Sequence, residues 1–587
     1  MTELWDELTY TDVIRSDGFD VDYAVMTTYS LELPSLLSVP LTLGAMADLT
    51  DQTMRCQEVA LGAVQKYTDK FAVFCNAGSI VVPETANKIY RLLERNVVTV
   101  QLPHHGGSFA NFHPKVWVVK ARNRDTGERQ LKVVVSSRNL TRSNDLDTAC
   151  ALTGSVGSRL APRPVRAKHR PLGDFLTWLA AKATSEIAER IGEIVDDLNH
   201  VEHFELSGSP FADYEFFPMG IDGYEGERTC LEDMLDGAQE MALVSPFVDD
   251  ETLRAMASRA PGGRKMLVTR YASVSEEALR LFDDGVYAPK EVLTSKMETD
   301  ATVDLHEKVY FIGKETGYSL HVGSANATRN AFGRNVEFQL KLNFAPGSTS
   351  YDDYKDELVG DSEESPFELI SGLAPLPETS RPDQDELALR QANAAGLTAE
   401  AQEREDLYDI TVRCEAELLP KQDVTLYPLG LPATSQALAG EVTFRGIGLA
   451  MLTEWYVIGL GDIRRIIKIE TVGIPREKRD SAIFRSIIGS KGKFINFLAY
   501  MLTEDATPPN SDWTEDGGER KAGKHTKAAT AQSVALYEDM VRMAHNAPER
   551  VAAIRKVIDK VDPSVIPDSF ATMYATFEKA IKQIQLL

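Results

Sequence analysis

The couplet FHPKVWVVKA (112–121) and LKVVVSSRNLT (131–141), joined by the turn-rich NRDTGERQ, returns as DLHEKVYFIGK (304–314) and YSLHVGSANAT (318–328), joined by KETG. Each copy is a His-x-Lys, an apolar β-branched and aromatic run, a turn, a second such run and a Ser-x-Asn. The runs predict paired strands. Residues two apart on a strand share a face, so His113 and Lys115 project together, as do His306 and Lys308, with Pro114 and Glu307 turned away. The returning strand brings Ser137 and Asn139, or Ser324 and Asn326, back beside them. A His, a Lys, a Ser and an Asn around one point offer donors to a phosphate. Two such quartets supply two imidazoles, one to attack phosphorus and one to protonate a departing oxygen. A single H-x-K is common by chance, and a lone strand histidine is usually structural; the doubling with matched flanks carries the weight.

Upstream of each couplet lies a similar order of elements. DYAVMTTYSLELPSLL (22–37) reads as strand into helix, followed by strand-like KFAVFCNAG (70–78) and NVVTVQLP (96–103). ERTCLEDMLDGAQEMALVSPFVDDETLRAMA (227–257) reads helix, strand, helix, followed by RKMLVTRY (264–271). The expected fold class is therefore α/β, with two similar lobes at 1–205 and 206–345, each a mixed sheet flanked by helices. An acidic linker is expected over 346–405, then a C-terminal α+β, mostly helical domain over 406–587. Its front end is β-like, and its helices include 481–505 and 534–561 around a basic loop at 517–529.

The 587 residues carry a net charge of −25, with 43% hydrophobic and 26% charged residues, ordinary for a globular chain of several domains. Residues 113–170 hold thirteen Lys and Arg against four acids, whereas 352–409 hold seventeen acids against four bases. Charge acts over about a Debye length, ~8–10 Å, so the local excess of +9 suggests a phosphate-binding surface despite the overall sign. The acidic start MTELWDELTYTDVIR lacks a signal-peptide pattern, and no apolar run approaches the ~18 residues of a membrane span. A cytoplasmic address is expected. Five scattered cysteines suggest neither a disulfide framework nor a zinc site.

The doubled motif resembles that of the phospholipase D superfamily, H-x-K, x4-D, then G-S/G-x-N, over roughly residues 20–345. GSANATRNAFGRNVEF (323–338) matches closely and includes Asn335-x-Glu337; the first copy has Asp145-Leu-Asp147 at a shorter spacing. The family's aspartate is replaced by Lys120 and Gly313, an H-K-N pattern similar to tyrosyl-DNA phosphodiesterase and several nucleases. The resemblance implies a metal-independent phosphodiesterase or nuclease acting through a phosphohistidine, with no cofactor and no metal. It assigns His113, Lys115, Asn139, His306, Lys308 and Asn326 to catalysis, with Ser137, Asp147, Ser324 and Glu337 in support. Either His113 or His306 can be the nucleophile, with His113 preferred by analogy.

Arg138, Arg142 and His105, of the loop His104-His105-Gly-Gly, are candidate substrate contacts. Tyr29 and Pro246-Phe247 follow the first strands, where substrate walls are common, although packing is the commoner role. The expected partner is nucleic acid, DNA first, with a partner protein at the C-terminal domain, no membrane, and one chain sufficient for one site. Bacterial antiviral defence or DNA processing is an association of the family. The rivals are a phospholipase or phosphatidyltransferase, and an inert nucleic-acid-binding scaffold.

Overall fold

The computed structural model describes residues 16, 18–44, 56–105, 108–143, 145–206, 209–225, 231–290, 304–360, 365–373, 384–502, 538, 540–542, 554–555, 558 and 561–584. It is α/β, with several mixed sheets. The first sheet has the strand order Ala149–Ser155, Arg129–Ser136, Val116–Asn123, Phe19–Thr28, Phe71–Asn76, Val97–Val100. The second runs Phe211–Met219, Glu337–Phe344, Gly317–Gly323, Val309–Lys314, Ala238–Val244, Arg264–Val268, Val286–Pro289, Phe367–Leu369. The six inner strands of the second follow the order of the first. In both, the strand that enters the motif hairpin's neighbour carries one irregularity, between Val21 and Tyr23 or between Ala238 and Glu240.

Period-two burial explains why the first sheet is covered on both sides. Val116, Val118, Val133 and Val135 face the helices Arg163–Ala180 and Ser185–Leu198, while Trp117, Val119 and Val134 join the opposite core. Burying each such side chain contributes roughly 1.5–3 kcal/mol. The helix pair also ties the sheets together: Phe175 packs on Phe338 at 4.9 Å between ring centroids, in a core shared with Leu340 and Leu342.

Three expectations change. First, six of the thirteen basic residues of 113–170 stand in ion pairs. Lys120 meets Glu193 and Asp197, each at 3.2 Å, and Arg129 meets Asp197 at 2.5 Å. Arg122 pairs with Asp22, Arg124 with Asp20, Lys168 with Asp213 and Arg170 with Asp174. A run of like charge in sequence became a set of ion pairs in space. Second, the segment expected as an acidic linker holds the helix Tyr351–Val359, the edge strand Phe367–Leu369 of the second sheet, the helix Gln384–Ala394 and the strand Thr398–Arg404. Tyr351, Tyr354 and Leu358 are buried against Phe311, so charge on the outer face hid an amphipathic helix.

Third, the C-terminal part, with the β front end that the sequence suggested, shares a core with one face of the first sheet. Strands between Thr398 and Val472 build a four-stranded sheet and most of a six-stranded one, whose remaining strands are Leu31–Glu32 and Ile80–Val81. The helices Arg476–Ile487 and Lys491–Leu502 follow; the basic loop 517–529 lies outside the described residues. Between the two parts, Arg479 meets Glu94 at 2.6 Å with both side chains buried, and Thr453 and the Glu454 N–H donate to Glu94. Removing one partner of such a pair strands the other charge, at about 3–5 kcal/mol. No helix among the described residues is long and apolar enough to cross a membrane.

Candidate active site

The two motif hairpins meet through two isolated bridges. Phe112 pairs with Val336 and Leu146 with Leu305, each residue standing one before a His or a carboxylate of interest. The His113 N–H donates to Val336 O at 2.9 Å and the His306 N–H to Leu146 O at 3.0 Å. The assigned strands begin only at Val116 and Val309, so these crossing bridges, rather than a strand face, aim the histidines.

The bridges exchange carboxylates between the halves. His113 Nδ1 lies 2.9 Å from Glu337 Oε2, and His306 Nδ1 lies 2.8 Å from Asp147 Oδ1. Each histidine thus takes its partner from the other sheet's segment. An ionised carboxylate only accepts, so Nδ1 carries the proton and Nε2 keeps its lone pair. The Ser137 hydroxyl donates to Asp147 Oδ1 at 2.6 Å, and the Ser324 hydroxyl donates to Glu337 Oε2. Each serine also accepts a backbone N–H, from Thr148 or Phe338.

Lys115 and Lys308 are almost completely buried, and each ammonium donates to the carbonyl of its own histidine. Burial is the main force on the site's charges. It pulls Lys115 well below the ordinary lysine range, reinforced by Lys308, and lowers Lys308 to about 8 despite Asp147 and Glu337. It likewise lowers His113, against the pull of Glu337, and takes His306 to about 4 against Asp147. Burial pushes Asp147 up, but its bond from His306 and the charge of that ring prevail, leaving it below the ordinary aspartate value. Lys308 also depresses His113, and Lys115 depresses His306, so the halves form one electrostatic unit.

Glu307, pushed up to about 7 by burial, and Arg270 act on Lys308 as well, so the centre holds more charged groups than the two lysines and the two His–carboxylate pairs.

Asn139 Oδ1 accepts from the N–H groups of Tyr29 and Ser30, at 3.2 and 3.3 Å. In the other half, Pro246 stands where Tyr29 does and has no N–H. Asn326 Oδ1 is buried with no hydrogen-bond partner among the described residues. Tyr29 lies against His113, with ring centroids 5.1 Å apart. Arg390, on the helix Gln384–Ala394, reaches the Tyr29 hydroxyl at 3.4 Å and Asn111 Oδ1 at 3.2 Å. Sequence reading passed over Arg390 because it lies in the acidic segment, and passed over Asn111, whose role is visible only through its bonds to Asn335 and Val336.

Of the expected substrate contacts, Arg138 binds the carbonyl of Ser143 at 2.8 Å, while Arg142 is exposed. The side chain of His105 lies outside the described residues.

No family model and no curated protein matches the chain. Among solved structures it is similar to a polyphosphate kinase from Porphyromonas gingivalis, at 12% identity and a TM-score of 0.30, over 57% of this chain and 42% of that one. The chain therefore spans less than half the length of that enzyme. It is also similar to NucT from Helicobacter pylori, at 22% identity and a TM-score of 0.18, over 22% of this chain and 85% of that one. Likeness at these scores carries no functional argument, and the chemistry of the site is argued from its own residues.

Proposed function

We propose that the chain is a phosphodiesterase of the phospholipase D type that cleaves nucleic acid, DNA first, through a phosphohistidine. The observation that carries this reading is the crossed arrangement of two His–carboxylate pairs around two buried lysines. The two sheets with their shared strand order act as two lobes around one centre, so one chain suffices.

In the proposed reaction, Nε2 of His113 attacks phosphorus and the P–O bond to the leaving group breaks. His306, protonated as the negative phosphodiester binds beside it, gives its proton to the departing oxygen. His306, now neutral, then takes a proton from water, whose oxygen attacks phosphorus and displaces His113. Lys115, Lys308, Asn139 and Asn326 stabilise charge on the non-bridging oxygens. His113 is chosen as nucleophile because its carboxylate is the more completely held: Glu337 Oε1 receives Asn335 Nδ2 at 3.0 Å, whereas Asp147 Oδ2 is buried without a partner among the described residues. An attacking group gains most from a fixed ring.

The ion pairs within the basic stretch weaken one support for a polyanion; the stronger support is the phosphodiester chemistry of the site. Purified protein is therefore incubated with labelled DNA, RNA and phosphatidylcholine, in EDTA and in its absence, beside His113→Ala and His306→Ala. DNA cleavage that survives EDTA and is lost in both variants is the expected result. Cleavage of lipid alone would overturn the substrate, and cleavage only without EDTA would overturn the metal-independent mechanism.

A further inference from the structure

The two halves share their hydrogen-bond pattern around the motif turns, which makes a difference in the side chains there informative. Thr28 Oγ1 donates to Ser30 O and accepts the Leu140 N–H; Ser245 Oγ donates to Phe247 O and accepts the Ala327 N–H. Leu31 bridges Leu140, and Val248 bridges Ala327. Ser30 and Phe247 are thus counterparts, each next to the turn that carries Asn139 or Asn326. The neighbouring parallel strands end in a second pair of counterparts, Asn76 and Arg270. Asn76 Oδ1 accepts from the Phe112 N–H, while Arg270 Nε donates to Leu305 O at 3.1 Å; Phe112 and Leu305 each precede a motif histidine.

One half therefore has Ser30 and Asn76, and the other has a cation stacked on an aromatic ring. The Arg270 guanidinium lies 4.4 Å from the Phe247 ring centroid, and Asp304 holds its other end at 2.9 Å. Although one ring face is taken, Phe247 remains 46% exposed, and Tyr271 beside it is 45% exposed. The Ser273 hydroxyl fastens this turn to Pro246 O at 2.9 Å. An aromatic ring backed by a fixed guanidinium, open on its outer side and anchored beside both His306 and Asn326, has the form of a stacking platform for a flat ring.

We infer that Phe247, backed by Arg270, stacks an unpaired nucleobase next to the scissile phosphate and so directs the site toward single-stranded nucleic acid. This rests on the phosphodiesterase reading above and extends it. A base inside a duplex is already stacked on both faces, so only an unpaired or splayed base can use the platform. Ser30 and Asn76, the counterparts of Phe247 and Arg270, form no such stack, and Tyr29 on that side packs against His113, so this platform holds the nucleotide on the His306 side. With His306 as proton donor, that nucleotide is the leaving group.

The test uses Phe247→Ala and Phe247→Trp, with thermal unfolding of both as a folding control. Binding is measured in the cleavage-silenced His113→Asn background, to a fluorescent oligothymidylate and to an abasic tract of the same length. Cleavage of both oligonucleotides and of a blunt duplex is measured in the otherwise unaltered chain. Stacking on one base predicts that Phe247→Ala weakens oligothymidylate binding about tenfold or more, that Phe247→Trp restores it, and that neither change alters the abasic tract. Equal effects on both oligonucleotides, no effect on either, or no binding of oligothymidylate would overturn the inference. Base-dependent binding through Phe247 without cleavage of any nucleic acid would uphold the platform and sink the phosphodiesterase reading. Cleavage that ignores both Phe247 and the base would do the reverse.

Discussion

The half-site around His113 and the half-site around His306 share a backbone plan but not a degree of restraint. In the first, Glu337 is bonded at both oxygens and Asn139 is held by two N–H groups. In the second, Asp147 Oδ2 and Asn326 Oδ1 lack partners among the described residues. The causes are single residues. Asn335 stands two before Glu337 and donates to it, whereas Asp145 stands two before Asp147 and has no proton to give when ionised. Pro246 deletes the N–H that Tyr29 supplies. A nearly symmetric frame can thus give two identical side chains different work, through differences one bond away from the reacting atoms.

The most severe way to break the comparison is to remove each histidine. Loss of either is expected to lower the rate by roughly 10³-fold or more, but the two losses should differ in kind. With a substrate whose leaving group needs no proton, His306→Asn should accumulate a covalent phosphoryl adduct on His113, because water is no longer activated. His113→Asn should give no adduct. Intact-mass spectrometry after quenching distinguishes them, and the adduct appearing on His306 instead would reverse the assignment.

The carboxylates come next. Gln at 337 can donate to Nδ1, which moves the imidazole proton to Nε2 and takes away the attacking lone pair. Glu337→Gln should therefore lower kcat by about 10²–10⁴-fold with little change in KM. Asn at 147 can still accept from a doubly protonated His306, so Asp147→Asn should cost clearly less. Equal losses in kcat would show that the two rings are not divided between nucleophile and acid.

A smaller effect should follow from Lys308, whose burial lowers it to about 8. Its charge is present below that pH and is lost as pH rises through it, so binding of an oligonucleotide should weaken above about pH 8. Fluorescence anisotropy across pH 7–9.5 measures this. Lys308→Met should bind weakly throughout, without a break near 8. A break that persists in Lys308→Met would assign it to another group.

Much of the site was legible because strand pairing turns sequence spacing into geometry. His-x-Lys and Ser-x-Asn lie at the same end of a hairpin, whose length is read from the apolar runs 116–121 and 131–135. The N-x-E at 335–337 and Asp147 were legible as supports, but not which histidine each would meet, since the exchange depends on bridges between distant segments. Charge was the poorest guide. Arg122 and Arg124 find Asp22 and Asp20 about a hundred residues away, and no local count anticipates such pairs. The C-terminal part misled for the same reason: Ile466 meets Ile80 across an edge that no local pattern reveals.

The gentlest test exchanges the two residues that set the degree of restraint. Asn335 Nδ2 donates to Glu337 and its Oδ1 accepts from the Asn111 N–H at 3.0 Å, so Asn335→Ala leaves two groups unsatisfied in a buried setting. The expected loss of stability is about 1–3 kcal/mol, read as a lower midpoint in denaturant with unchanged slope. A several-fold fall in kcat should accompany it as the His113 ring loosens. Asp145→Asn is the matching change in the other half, since it puts an amide two residues before the carboxylate, as Asn335 stands before Glu337. Its gain should be about 1 kcal/mol or less, the usual net worth of a new hydrogen bond. If restraint of the ring matters chiefly for attack, Asp145→Asn should stabilise the chain and leave kcat nearly unchanged. A rise in kcat as large as the fall caused by Asn335→Ala would mean that both histidines depend equally on being held, and the division of labour argued from their surroundings would fail.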